Sequence, residues 1–230
     1  MTDERPSHPD AHERDLAIRE LAKNYSELPE GRRRSLIEQM IATSLRLGRD
    51  DSHTGELKLI NSALKELRYS YRVFRPWVLR PKISIFGSAR TPEDHPDYVA
   101  ARDFGRLMGE ADWMSITGAG DGIMKAGHEG PGHEASFGLR IRLPFETTAN
   151  EVIAEDPKLV NFRYFFTRKV MFMINSDAIA ALPGGFGTMD EVFESLTLIQ
   201  TGKSYPMPIV LLEGEGGSYW SRWVSFLREE

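Results

Sequence analysis

The sequence predicts an α/β fold: a Rossmann-like, doubly wound parallel sheet with helices on both faces, preceded by an N-terminal helical arm. Three observations predict it. Beyond residue 78 short apolar strands alternate with helical segments, the pattern of a parallel sheet covered on both faces. Three of those strands run directly into glycine turns, as strands do where such a sheet binds ligands beyond its carboxyl edge. Residues 1–78, in contrast, carry only helical periodicity.

Residues 1 to about 13 are polar and expected to be disordered. Leu16, Ile18, Leu21 and Ala22 then recur at helical spacing, followed by Leu36, Ile37, Met40, Ile41 and Leu45. Gly48 and Gly55, with aspartates between them, form a stop signal, and a third helix carries Leu57, Leu59, Ile60, Leu64 and Leu67. No polar cluster converges on this arm, which reads as packing or oligomerisation surface.

Prolines 76 and 81 mark the change of character. KISIFGS (82–88) is a buried strand and residues 97–111 a helix; WMSITG (113–118) is the second strand and FGLRIRLPF (137–145) the third. A shorter strand falls at 160–164, before a helix bearing Arg168, Met171, Phe172 and Asn175. DAIAAL (177–182) feeds the turn PGGFGT, whose helix runs to about Gln200; PIVLLE (208–213) is the last strand, with a helix begun at Ser218. The sequence stops inside that helix with no glycine or proline signal, so further chain past Glu230 is expected.

Composition narrows the function classes. A net charge of −5 over 230 residues gives no long-range attraction to nucleic acid or an anionic membrane. With no cysteine, disulfides, thiolate metal sites and a cysteine nucleophile are excluded together. The charged N-terminus lacks the apolar core of a secretory signal, and no run approaches the roughly 20 apolar residues of a membrane span. The expectation is a cytoplasmic protein that binds a small molecule, without metal or cofactor.

The glycine turns indicate what that molecule carries. Gly87-Ser88, Gly118-Ala119-Gly120-Asp121-Gly122 and Gly184-Gly185-Phe186-Gly187-Thr188 all emerge on one edge of the predicted sheet. Glycine admits close backbone approach, and the amides that open a following helix suit an anion, with phosphate the natural candidate. None is a standard nucleotide fingerprint. Ile123 stands where the dinucleotide signature has its third glycine, and the last turn lacks a P-loop lysine.

Several residues carry two readings. Thr188-x-x-Glu191 is a capping box, in which Thr188 accepts from the Glu191 amide and the carboxylate folds back; a catalytic Glu191 would face an open pocket instead. Arg168 is a helix-surface arginine or a site charge. Ser88 and Arg90 are phosphate or ribose contacts, or a turn serine and a solvated arginine. His128-Glu129 and His133-Glu134 are one residue too far apart for HExxH, with Gly130-Pro131-Gly132 between them, and read as a surface loop rather than a zinc site. Arg32 to Arg34 read as a solvated face, and Phe162, Tyr164, Phe165 and Phe166 mostly as core, with one ring able to stack on a purine.

Taken together, FFTRK (165–169), the strand DAIAAL and PGGFGTMDE (183–191) resemble the Lonely Guy (LOG) family, once labelled lysine decarboxylases. The PGGxGTxxE motif is highly specific, and the spacing from Arg168 to Glu191 matches the family's. The resemblance runs from about Ile83 to Leu212, omits the arm, and looks like the longer bacterial members. It implies hydrolysis of the N-glycosidic bond of AMP or a cytokinin riboside 5′-monophosphate to free base and ribose 5-phosphate. It further implies Arg168 and Glu191 in the chemistry, with Gly184, Gly185, Gly187 and Thr188 holding phosphate. Gly87, Ser88, Gly118, Gly120, Lys169 and Asp190 are the further candidates for substrate contact, and a homodimer or larger oligomer is expected. TGAGDGIMK (117–125) replaces the family's GGGxxGLMG, and Asp190-Glu191 its Glu-Glu, departures that bear on base preference. The rival reading is a carrier of the same fold that binds a nucleotide-like cofactor without hydrolysis; a weaker one is a structural oligomer built on the arm.

Overall fold

The computed structural model describes residues 11–144 and 148–229. These fall into two units, residues 11–61 and 62–229, with the boundary inside a helix. In the first, α1 (Ala11–Tyr25) and α2 (Arg32–Arg49) are neighbours, Ile18 and Ala22 being the buried positions of α1. The N-terminal decapeptide, where disorder was expected, lies outside the described residues. Among the described residues no helix is long and apolar enough to cross a membrane.

The second unit begins within α3 (Thr54–Phe74) and continues through β1 (Lys82–Phe86), α4 (Pro96–Glu110), β2 (Met114–Thr117), α5 (Ile123–Glu129) and β3 (Ser136–Ile141). It is completed by β4 (Leu159–Phe162), α6 (Phe165–Asn175), β5 (Ala178–Ala181), α7 (Phe186–Gln200), β6 (Ile209–Leu211) and α8 (Tyr219–Glu229). All strand pairings are parallel, in the order β4-β3-β2-β1-β5-β6. The predicted doubly wound sheet is therefore observed. β3 ends at Ile141, short of the expected span, whose last residue, Phe145, lies outside the described residues.

Alternation along each strand builds two cores. Ile83 and Ile85 of β1 and Ala178 and Ala180 of β5 pack with Tyr98 and Ala101 of α4 and Ile123 and Ala126 of α5 on one face. Phe86, Ile116, Phe137 and Ile179 point the other way, onto Met171 and Phe172 of α6 and Phe74 of α3. Phe74 stacks on Phe137 with centroids 4.3 Å apart. Of the aromatic run read as core, only Phe162 is buried; Phe165 and Phe166 are about half exposed, because helix α6 starts at Phe165 and turns both outward.

Strand order reverses between β1 and β5, and both end in predicted glycine turns. A parallel sheet opens at such a switch point because the connections after neighbouring strands leave to opposite faces. The backbone clasps the three turns together there: Ser88 N–H donates to Pro183 O (3.2 Å), and Ile123 N–H to Ser88 O (3.0 Å). Gly122, at φ +59°, completes the clasp, and a Cβ there would overlap Ser88 O and lie 2.7 Å from the Ala89 carbonyl carbon. Gly122→Ala is therefore expected to destabilise the unit by about 3 kcal/mol, by strain and overlap together, read as a lower urea midpoint with unchanged slope.

Candidate active site

At the switch point lies a cleft of about 450 Å³. Its floor is backbone: Gly87 and Ser88 after β1, Gly118 after β2, and Gly185, Gly187 and Thr188 opening α7. Phe86, Met124, Ile141, Leu143, Phe165 and Phe172 give it an apolar wall, and the charged pair Arg168 and Glu191 lines the same cleft. Such a mixture of apolar wall and few convergent polar groups is the form small-molecule sites take.

The helix that carries the glutamate starts earlier than its sequence suggests. α7 begins at Phe186, its N-cap is Gly185, and no side chain caps it. Thr188 is thus already the third helical residue, and the predicted Thr188–Glu191 capping box is not formed. The physical reason is Gly184-Gly185, which lets the chain enter helical geometry before the threonine. The first amides of a helix have no partner within it, so the start of α7 presents N–H groups and the positive dipole end to the cleft. Gly184 is required by close approach, since a Cβ there would overlap the Thr188 side chain.

Glu191, released from capping, is 5% exposed, and its carboxylate faces Arg168, with Oε1 3.6 Å from Nη2. Burial pushes its pKa from 4.5 up to about 7, although Arg168 and then Lys169 pull it down. The Arg168 guanidinium lies over Phe165 (5.0 Å to the centroid) and Phe172 (5.8 Å), which fixes its plane beside the cleft. It is a site-facing charge rather than a solvated surface arginine.

The remaining candidates separate. Lys169 donates to Asp190 Oδ2 (2.8 Å) and Glu194 Oε2 (2.7 Å); burial would lower its pKa, but these partners hold it above the ordinary lysine value. Neither Lys169 nor Asp190 is among the residues lining the cleft. Gly120 also stands apart, its carbonyl accepting from Asn150 Nδ2 (2.9 Å). Arg90 joins the lining, its amide donating to Ser88 Oγ (3.1 Å).

The histidine segment corrects its reading as a surface loop. His128 lies on α5 with 0% exposure, because helix packing against β2 and β3 draws it inward. Its Nε2 lies 3.0 Å from both Phe137 O and Thr117 Oγ1, and Asn150 Nδ2 lies 3.2 Å from Nδ1. A neutral ring that donates from Nε2 and accepts at Nδ1 satisfies this set, and burial lowers its pKa accordingly. Asn150 also donates its amide to Ala119 O (2.9 Å), so the buried histidine braces the second glycine turn, where Ala119 is held at φ +62°. Among the described residues no His, Cys, Asp or Glu cluster could hold a metal ion.

Of the apolar wall, the sequence named Phe165, in the aromatic run with one ring able to stack on a base, and Phe172, on the helix of Arg168. Phe86 and Phe186 adjoin the glycine turns and could have been found by that adjacency; Met124, Ile141 and Leu143 carry no local signal.

Residues 118–230 match the family model described as possible lysine decarboxylase. A cytokinin riboside 5′-monophosphate phosphoribohydrolase of Arabidopsis thaliana, LOG3, is 31% identical over 133 residues, 56% of this chain and 59% of that protein. A probable enzyme of the same name from Oryza sativa subsp. japonica, LOG4, is 30% identical over 139 residues, 58% of each. The chain thus spans about six-tenths of the length of these relatives. Among solved structures, the molybdenum cofactor carrier protein of Chlamydomonas reinhardtii aligns over 65% of this chain and 86% of its own, at 23% identity and TM-score 0.46. The molybdenum cofactor binding protein of Rippkaea orientalis aligns over 65% and 85%, at 20% identity and TM-score 0.47. The matched segment holds Arg168, the glycine turn and Glu191, and the chain is similar to the LOG proteins.

Proposed function

We propose that the protein hydrolyses the N-glycosidic bond of a purine nucleoside 5′-monophosphate, AMP or a cytokinin riboside 5′-monophosphate, releasing free base and ribose 5-phosphate. One observation carries this reading: a buried carboxylate with raised pKa lies 3.6 Å from a guanidinium and lines the same cleft as an uncapped helix start. The 5′-phosphate takes the amides around Gly185, Gly187 and Thr188, and Gly87, Ser88 and Gly118 close the floor beneath the ribose. The helix that binds the phosphate also carries Glu191, so one rigid element fixes both ends of the sugar phosphate. The apolar wall receives the base.

Cleavage passes through a ribosyl cation. As the bond between C1′ and the base nitrogen breaks, its electron pair leaves with the base, which takes a proton from solvent. Ionised Glu191 stabilises the positive charge at C1′ and accepts a proton from the water that bonds there. Arg168, charged at every working pH, acts only as a charge, holding Glu191 and the substrate in place. A lysine decarboxylase chemistry has no support in this cleft: it would need a lysine to form a Schiff base, and none is among its described lining residues.

The same proposal includes a cytoplasmic setting and a homo-oligomer. In support of the latter, Phe166, Val170 and Ile174, each about half exposed, follow one another at four-residue spacing along α6, an apolar stripe suited to a second copy.

The test is incubation of the pure protein with a panel of nucleoside monophosphates, with chromatography for free base and ribose 5-phosphate. Release of purine base supports the proposal. Tight binding without release would favour the carrier reading instead.

A further inference from the structure

A fourth glycine turn follows β6: Glu213-Gly214-Glu215-Gly216-Gly217-Ser218, before α8. Its helix start differs from that of α7. The Glu213 carboxylate turns back onto it, Oε2 accepting from Tyr219 N–H (2.7 Å) and from Trp220 N–H (3.5 Å), so α8 is already neutralised by an anion of its own chain. Gly214 N–H in turn donates to Asp97 Oδ1 (2.7 Å), which ties the turn to α4. Trp220 is buried, with Nε1 donating to Leu212 O (3.0 Å). α8 is therefore fixed at its start from several sides without any ligand.

From that fixed start one group reaches the proposed phosphate turn. Tyr219 packs edge-on against Trp220, with centroids 4.8 Å apart, and its hydroxyl donates to the carbonyl of Gly184 (2.7 Å). Gly184 is the residue before the N-cap of α7, packed too tightly against Thr188 to accept a side chain. On its other flank Ser88 N–H holds Pro183 O. The peptide plane between Gly184 and Gly185 is thus pinned at its oxygen, and the N–H on its far side belongs to Gly185, a residue that lines the cleft.

We propose that Tyr219 is a positioning residue for phosphate: its hydrogen bond to Gly184 O sets the orientation of the turn whose amides receive the phosphate, without touching substrate. The inference rests on the phosphate placement proposed above. It predicts a loss concentrated on ligands that carry phosphate, because Tyr219 holds only the carbonyl before the N-cap of α7, whereas Glu191 lies more than a turn further along that helix and Arg168 is on α6.

Tyr219→Phe removes one oxygen and keeps the ring against Trp220. Calorimetric titration of ribose 5-phosphate and of adenine into wild type and variant reads the effect independently of turnover. Losing a hydrogen bond of ordinary strength is expected to weaken ribose 5-phosphate about three- to tenfold, with adenine affinity unchanged. With AMP as substrate, KM rises by a similar factor and kcat changes less than about twofold. Equal affinity of both proteins for ribose 5-phosphate, or parallel loss for both ligands, would overturn the inference. Failure of wild type to release base from AMP, with the phosphate-selective loss intact, would overturn the hydrolase reading alone.

Discussion

Glu191→Gln is expected to lower kcat on AMP by roughly 10²–10⁴-fold, the range for removing a positioned acid–base group, with KM little altered. The amide keeps the size of the side chain and cannot accept a proton from water or balance a cation at C1′. Because burial raises the Glu191 pKa to about 7, wild-type kcat/KM should rise with pH through that value and level off above it, and the residual activity of the variant should lose that dependence. The same burial predicts a stability effect. A carboxyl whose folded pKa lies above its unfolded value binds more protons folded than unfolded, so its contribution is complete below pH 4.5 and is lost as pH rises toward 7. The shift corresponds to about 3 kcal/mol, so wild type should lose stability between pH 5 and 8 relative to Glu191→Gln, measured as the difference in urea midpoints. Parallel midpoints across that range would show that the carboxyl is not held in a desolvating site.

Arg168→Ala should lower kcat/KM by about 10²–10³-fold, the loss usual for one charge-stabilising group in a water-poor site. It carries a signature that a packing defect lacks. Arg168 pulls the Glu191 pKa down against burial, so its removal should move the midpoint of the pH–rate profile to higher pH. Arg168→Lys keeps the charge but loses the planar group that lies over Phe165 and Phe172, and should recover the midpoint while recovering activity only in part. An unshifted midpoint in Arg168→Ala would separate the two residues functionally.

The sheet was legible because parallel strands buried on both faces are continuous apolar runs, and KISIF, MSIT and AIAA stand out between glycine and polar segments. The shared edge of three glycine turns followed from strand direction alone. The first turn of α7 was not legible. Thr188-x-x-Glu191 satisfies a capping pattern, but two preceding glycines advance the helix start to Phe186, and that shift of the N-cap from Thr188 to Gly185 turns Glu191 from its own backbone to the cleft. His128 misled for a similar reason. Its neighbours Gly130, Pro131 and Gly132 signal a turn, whereas the histidine sits one residue pair earlier, on the buried side of a helix only 7 residues long. The brace from Tyr219 to Gly184 joins positions 35 residues apart across two elements, a pairing that only the tertiary fold creates.

In the proposed reaction one helix start holds the phosphate while the carboxylate on that helix acts at C1′. Incubating the protein with AMP and with adenosine side by side at pH 8, and quantifying free adenine over time, tests it most directly. Adenine should appear from AMP with a kcat/KM at least about 10²-fold above that for adenosine, since remote phosphate binding is what positions the ribose. Equal rates for the two, or no adenine from AMP, would contradict it.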